Sequence, residues 1–206
     1  MNKRRILIIS GTLVITIALI ILIINLFGND GLISITKNPD GEKFENEYEE
    51  LNGVKTEDGK EYPEVNISYS KIIKYTDVDE IVNIFSNDES AVIYFGFSTC
   101  VYCRSAIEVL CDTAKETELD TIYYLDVKEN TNYDKLLNVL DERFITDENK
   151  IYAPLVLFIA NGDIVSHNKG TLSSQDDPYV ELDESQKQGL SEIYWYGIRD
   201  VVESSK

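Results

Sequence analysis

Between residues 77 and 87 the apolar side chains Val78, Ile81, Val82 and Phe85 fall on one face at helical spacing, with Thr76 or Asp77 in place as N-cap. The next apolar stretch, AVIYFGF at 91–97, has no polar interruption, the mark of a short strand buried on both faces. A β-branched and aromatic stretch at 65–76 predicts a strand ahead of both. Further on, the pattern predicts a helix over 100–117, a strand over 121–127 and a helix over 132–144. Residues 152–167 read as two strands joined through Asn161-Gly162, a pair suited to a tight antiparallel turn. A last helix is predicted over 184–204, weakened locally by Gly189 and Gly197. Strands and helices alternate, and a hairpin and a helix close the order.

Residues 6–27 break this rhythm, because no charged side chain interrupts them. A helix of that length crosses a hydrocarbon layer of about 30 Å, so a transmembrane helix is predicted. A cleaved signal peptide has a shorter apolar part and a small-residue cleavage site, and a lipoprotein needs a cysteine just after the apolar run. Neither pattern is present. Lys3, Arg4 and Arg5 precede the span while Gly28, Asn29 and Asp30 follow it. The positive-inside bias then places residues 1–5 in the cytoplasm and 28–206 outside, on a single-pass protein of the cell membrane.

The outer part carries all 37 acidic side chains and all but three of the 19 basic ones. Such a surface repels phosphate backbones, and nucleic-acid binding is excluded on that ground. Residues 28–64 are polar, acidic and rich in turn signals, and read as a spacer before a domain at 65–206. Within the spacer, Phe44, Tyr48 and Leu51 stand at helical spacing and Gly53 supplies a stop, so one short helix is expected to pack on the domain.

All three cysteines lie in FSTCVYCRSAIEVLC, residues 97–111, directly after the buried-type strand. At a helix start the orphan N–H groups and the helix dipole favour a thiolate, so Cys100 is the candidate nucleophile. Cys103, one turn later, is placed to close a disulfide with it. Cys111 lies about 16 Å further along the helix axis, beyond disulfide reach, and reads as a buried, inert thiol. Arg104 is read either as a charge tuning the thiols or as a solvated helix residue. One C-x-x-C and one histidine, His167, complete no standard zinc set; no metal and no cofactor are predicted, and His167 is expected at a strand end.

With these residues in view the sequence resembles the thioredoxin superfamily over roughly 65–203: a strand, Cys100-Val101-Tyr102-Cys103 at a helix start, Ala153-Pro154 ahead of a hairpin, and a terminal helix. YFGFSTCVYCRS, IYAP, FENEYEELNG and DDPYVEL are similar to segments of membrane-anchored thioredoxin-like proteins of Gram-positive bacteria, the bacteriocin transport accessory type among them. The resemblance implies a central mixed sheet flanked by helices. It also implies catalytic Cys100 and Cys103, and a cis bond before Pro154 that brings the Ala153 backbone to the sulfurs to pair with an extended substrate. Tyr102 is expected to be exposed and to contact substrate. The chain departs from thioredoxins at Tyr94, where they carry a buried aspartate, and at Thr99, where they carry tryptophan.

Two functions follow from this reading. One is a membrane-tethered, extracytoplasmic thiol-disulfide oxidoreductase acting on cysteine-containing proteins or peptides, with a membrane redox partner if it works as a reductant. The other is a non-enzymatic module that holds exported peptides such as bacteriocins. Residues 170–184, longer than an ordinary loop, read as a surface loop or as a recognition lid.

Overall fold

The computed structural model describes residues 38–130 and 133–204. The apolar stretch at 6–27 lies outside them, and among the described residues no helix is long and apolar enough to cross a membrane. The elements are helix α1 (Pro39–Glu49), strand β1 (Ile73–Tyr75), α2 (Val78–Ser86), β2 (Ala91–Gly96), α3 (Val101–Glu116), β3 (Ile122–Asp126), β4 (Leu155–Ala160), β5 (Asp163–Lys169) and α4 (Glu184–Ser204). They form one sheet of order β1-β3-β2-β4-β5. The pairs β1–β3 and β3–β2 are parallel, whereas β2–β4 and β4–β5 are antiparallel.

Every residue of β2 and of β4 is buried, as expected of central strands covered on both faces. Their side chains alternate between two cores. Val92, Tyr94, Val156 and Phe158 join residues of α1, α3 and α4 on one face. Ile93, Phe95, Leu155, Leu157 and Ile159 join α2 on the other. Asp77 caps α2 by accepting the Glu80 N–H at 2.8 Å, and Asn161 and Gly162 both take positive φ in the hairpin turn.

Two regions differ from expectation. Only Ile73–Tyr75 of the predicted strand at 65–76 pairs with the sheet, and the turn of 3₁₀ helix at Ser70–Ile72 precedes it. The helix predicted over 132–144 is two 3₁₀ turns, Leu136–Asn138 and Glu142–Phe144. The first turn is capped at Val139, and Asp141, with extended backbone, starts the second by accepting the Arg143 N–H at 3.0 Å. Tyr133, Leu136, Leu140 and Phe144 are nonetheless buried together, so the apolar spacing is satisfied without a continuous helix.

Within residues 38–64 the short helix expected around Phe44 and Tyr48 is present, starting earlier, at Pro39. Helix α1 enters the core itself, with Phe44 and Tyr48 fully buried, and the Phe44 ring meets Tyr124 edge-on at 4.7 Å. Its start also occupies the outer edge of β1: Asn38 Nδ2 donates to Ile73 O at 2.7 Å, and Tyr75 N–H donates to Asp40 Oδ2 at 3.0 Å.

Gly197 lets α4 lie directly on β4, because a Cβ there would stand 2.4 Å from the Phe158 ring. A Gly197→Ala variant gains helix propensity worth about 1 kcal/mol, yet it must push apart a packed helix and sheet at a cost of about 1–3 kcal/mol or more. The clash wins. Thermal unfolding is expected to show a midpoint lower by roughly 3–6 °C, and an unchanged or higher midpoint contradicts the close approach.

Candidate active site

Cys100 is the N-cap of α3, and its Sγ accepts the Cys103 N–H at 3.3 Å. Burying one of the helix's orphan donors against sulfur is the local reason for this turn. Across from it stands the Ala153 carbonyl, 3.9 Å from Cys100 Sγ, and the Ala153–Pro154 bond is cis. Cys100, Cys103, Ala153 and Pro154 are therefore brought together by the end of β2 and the start of β4. Tyr102 projects from the first turn of α3 with 37% of its surface exposed. The cysteines are free thiols here.

The two thiols have opposite characters. Hydrogen bonding from the Cys103 thiol, joined by the backbone N–H groups of Cys103 and Tyr102, holds Cys100 below the ordinary thiol range in spite of its partial burial. Cys103 is fully buried, and burial pushes it well above that range, with the Cys100 charge adding to the effect. Burial also raises Cys111, which has no exposed surface. Iodoacetamide is accordingly expected to alkylate Cys100 alone in the folded, reduced protein. Because its thiolate persists to lower pH, the rate should reach half its plateau below the value of about 8.5 for a free cysteine. Mass mapping after alkylation checks the site, and a midpoint at or above that value contradicts the reading.

Beneath Cys103 lies Tyr94, fully buried, whose hydroxyl donates to Cys103 O at 3.2 Å and meets the Tyr48 hydroxyl at 3.4 Å. Burial raises its pKa far above that of a free tyrosine, so it stays protonated. Gly96 makes room for it two residues on, since a Cβ there would sit 2.5 Å from the phenol oxygen. The Tyr94 ring stacks on Tyr124 at 5.7 Å.

Arg104 is the residue that the sequence reading placed least well. It is not solvated but fully buried, and its guanidinium is bonded to oxygen acceptors rather than to either thiol. Its guanidinium donates to Pro63 O at 2.7 Å, Tyr48 O at 2.6 Å and Asn52 Oδ1 at 2.6 Å, with a longer approach of 3.5 Å to Ser98 O. Among the described residues no carboxylate pairs with it. Sequence gave no signal for this, because three of the four acceptors are main-chain carbonyls. His167 lies within β5, opposite Leu157, with its ring edge-on to Phe144 at 4.9 Å.

Residues 170–184 are tied to the helix that bears the cysteines. Gln175, almost fully buried, donates to Ser105 Oγ at 3.2 Å and to Val180 O at 3.3 Å, and Lys60 lies 4.2 Å over the Tyr179 ring. On the other side of the site a groove of about 660 Å³, lined by Phe97, Val127, Tyr133, Ile151 and Tyr152, runs up to Ala153.

The sheet order, the C-x-x-C pair where β2 passes into α3 and the cis-proline before β4 make this α/β fold thioredoxin-like. No family model and no curated protein matches the sequence. Among solved structures the chain is similar to oxidised thioredoxin O1 of Arabidopsis thaliana, at 20% identity and a TM-score of 0.37 over 59% of this chain and 97% of that one. It is likewise similar to oxidised thioredoxin O2 of the same plant, at 18% identity and a TM-score of 0.38 over 60% and 95%.

Proposed function

We propose that the protein is a thiol-disulfide oxidoreductase, tethered to the cell membrane by residues 6–27, whose domain acts outside the cytoplasm on cysteine-containing proteins or peptides. The observation that carries the reading is the pairing of a capped, acidified Cys100 with a buried Cys103 opposite the Ala153 carbonyl. The uncharged run at 6–27 behind Lys3, Arg4 and Arg5 supports the membrane and extracytoplasmic part of the reading, and disulfides persist where the environment is oxidising.

In the reducing direction the Cys100 thiolate attacks one sulfur of a substrate disulfide, forming a Cys100–substrate disulfide and expelling the other substrate sulfur as a thiolate that takes up a proton. Cys103 then loses its proton and attacks Cys100 Sγ. The Cys100–substrate bond breaks, the second substrate thiol leaves, and two electrons have passed from the dithiol to the substrate. Oxidation of a substrate dithiol is the same sequence reversed. The Ala153 backbone, beside Cys100, is where an extended substrate segment lies during both steps. A reductant outside the cell needs a membrane donor of electrons, whereas an oxidant needs an acceptor.

The test is exchange between the full chain and a disulfide-bonded protein, followed by gel shift under non-reducing conditions. Wild type is expected to exchange, Cys100→Ser to fall to the uncatalysed rate, and Cys103→Ser to stop at the mixed disulfide. Equal rates in wild type and Cys100→Ser overturn the reading.

A further inference from the structure

The first half-reaction has what it needs at Cys100, but the second requires Cys103 to give up a proton, and its surroundings are unusual for that task. The side chain is fully buried. Tyr48 of α1, Tyr94 of β2 and Tyr194 of α4 share its core cluster, all three fully buried, and the Tyr94 hydroxyl reaches the Cys103 backbone. On its own helix the neighbours are the Cys100 thiol and Arg104. The guanidinium of Arg104 is directed to Pro63, Tyr48 and Asn52, and a guanidinium donates only. Hydrogen bonds from the Phe97 backbone, just past β2, and from Tyr94 favour the Cys103 thiolate without taking its proton, and burial outweighs them. Among the described residues no carboxylate, imidazole or amine makes a hydrogen bond or ion pair with Cys103.

Phenols are poor acceptors here. A neutral phenol binds a proton only weakly, and a phenolate in this pocket is opposed by the same burial that raises Tyr94 and Tyr194. The Tyr94 hydroxyl is moreover already oriented as a donor, to Cys103 O at 3.2 Å. Before Cys103 attacks, its proton therefore has to pass to water or hydroxide from a side chain with no exposed surface.

Resting on the oxidoreductase reading above, we infer that this protein holds its substrate as a long-lived mixed disulfide on Cys100, because Cys103 is fully buried in a core whose polar side chains are phenols and has no group to take its proton. The chain is then a covalent holder as well as an exchange catalyst. Release has two routes: slow attack by Cys103, or attack on the mixed disulfide by the thiolate of an incoming partner. The second route hands the substrate on without closing the Cys100–Cys103 disulfide.

Oxidised glutathione is a sufficient probe. Reduced full-length protein with Cys111 intact is mixed with it, the Cys100 thiolate displaces one glutathione thiolate, and excess reagent is removed. Loss of the bound glutathione is followed by acid quenching and mass measurement. With hydroxide as acceptor, decay of the wild-type adduct is expected to quicken about tenfold per pH unit between pH 6 and 8. Tyr94→Asp, which sets a carboxylate beneath Cys103, is expected to shorten the adduct's lifetime at pH 7 by tenfold or more and to flatten that profile. A wild-type adduct that collapses within seconds at a rate independent of pH overturns the inference and leaves the oxidoreductase reading standing. A Cys103→Ser protein that takes up no glutathione overturns the oxidoreductase reading itself. Should Tyr94→Asp fail to fold, the wild-type pH profile alone decides.

Discussion

Full-length protein carrying Cys103→Ser, incubated with a disulfide-bonded substrate protein, accumulates a covalent complex that reducing agent dissolves and that outlives the wild-type complex by roughly a hundredfold at pH 8.5. The expectation follows from a division of labour between the two sulfurs. Attack depends on Cys100, whose thiolate is held by the Cys103 N–H at 3.3 Å and by the Tyr102 N–H beside it, and these donors are main-chain groups that the substitution leaves in place. Resolution depends on a second sulfur on the same helix, and serine's hydroxyl cannot close a disulfide. The Cys103 thiol is also the largest contributor to the lowering of Cys100. A serine hydroxyl can donate in its stead, so attack by the variant should stay within about tenfold of wild type. Non-reducing electrophoresis with mass mapping of the linkage to Cys100 provides the check. Absence of any complex, or linkage through Cys111, contradicts the assignment.

Arg104→Met is expected to be the most destabilising single change outside the cysteine pair, at about 3–5 kcal/mol. Methionine fills much of the apolar volume of the arginine stem, so the loss is not mainly one of packing. The guanidinium's charge-assisted bonds to the Pro63 and Tyr48 carbonyls and the Asn52 amide oxygen, at 2.6–2.7 Å, are lost together, each worth roughly 1.5–3 kcal/mol, and Pro63 O is left without a donor while Tyr48 O keeps the Leu51 N–H. Asn52 retains its bonds to the Val65 backbone, which places the estimate short of the upper bound. Arg104→Lys should recover little, because one ammonium cannot reach three acceptors spread over a planar fork. In urea unfolding the midpoint is expected to fall by about 2 M. A shift below 0.5 M, on the order of an exposed charge, shows that these acceptors find other donors.

How far the sequence could be read differs by element, for physical reasons. The bounds of α2, β2, α3 and α4 were legible because periodicity, caps and turn residues agree there: Asp77 caps α2, Cys100 caps α3, and Asn161-Gly162 turns the hairpin. Agreement failed at 132–144, where the apolar spacing of a helix is served by two short turns and the aspartate at 141 offers the backbone another partner. It failed at 65–76 as well, because β-branched residues such as Val65 and Ile67 pack into the core from irregular backbone. The C-x-x-C pair was visible from its spacing at a helix start, and the proline facing it from the resemblance that Ala153-Pro154 ahead of a hairpin carries. The surroundings of Cys103 were visible only at Tyr94. Tyr48 and Tyr194 come from 55 residues before Cys103 and about 90 after it, and nothing local in sequence links them; the acceptors of Arg104 are invisible for the same reason, being carbonyls that every residue carries.

The start of α1, with Asn38 and Asp40 bonded to the outer rim of β1, also restricts what the sheet can recruit. A strand margin whose amide and carbonyl are already taken offers no template to another polypeptide. Among the described residues β5 is the sheet's other margin, and a sheet with one margin left to pair couples to one further copy. Self-association through strands, if it begins, halts at a pair and does not propagate into a fibre.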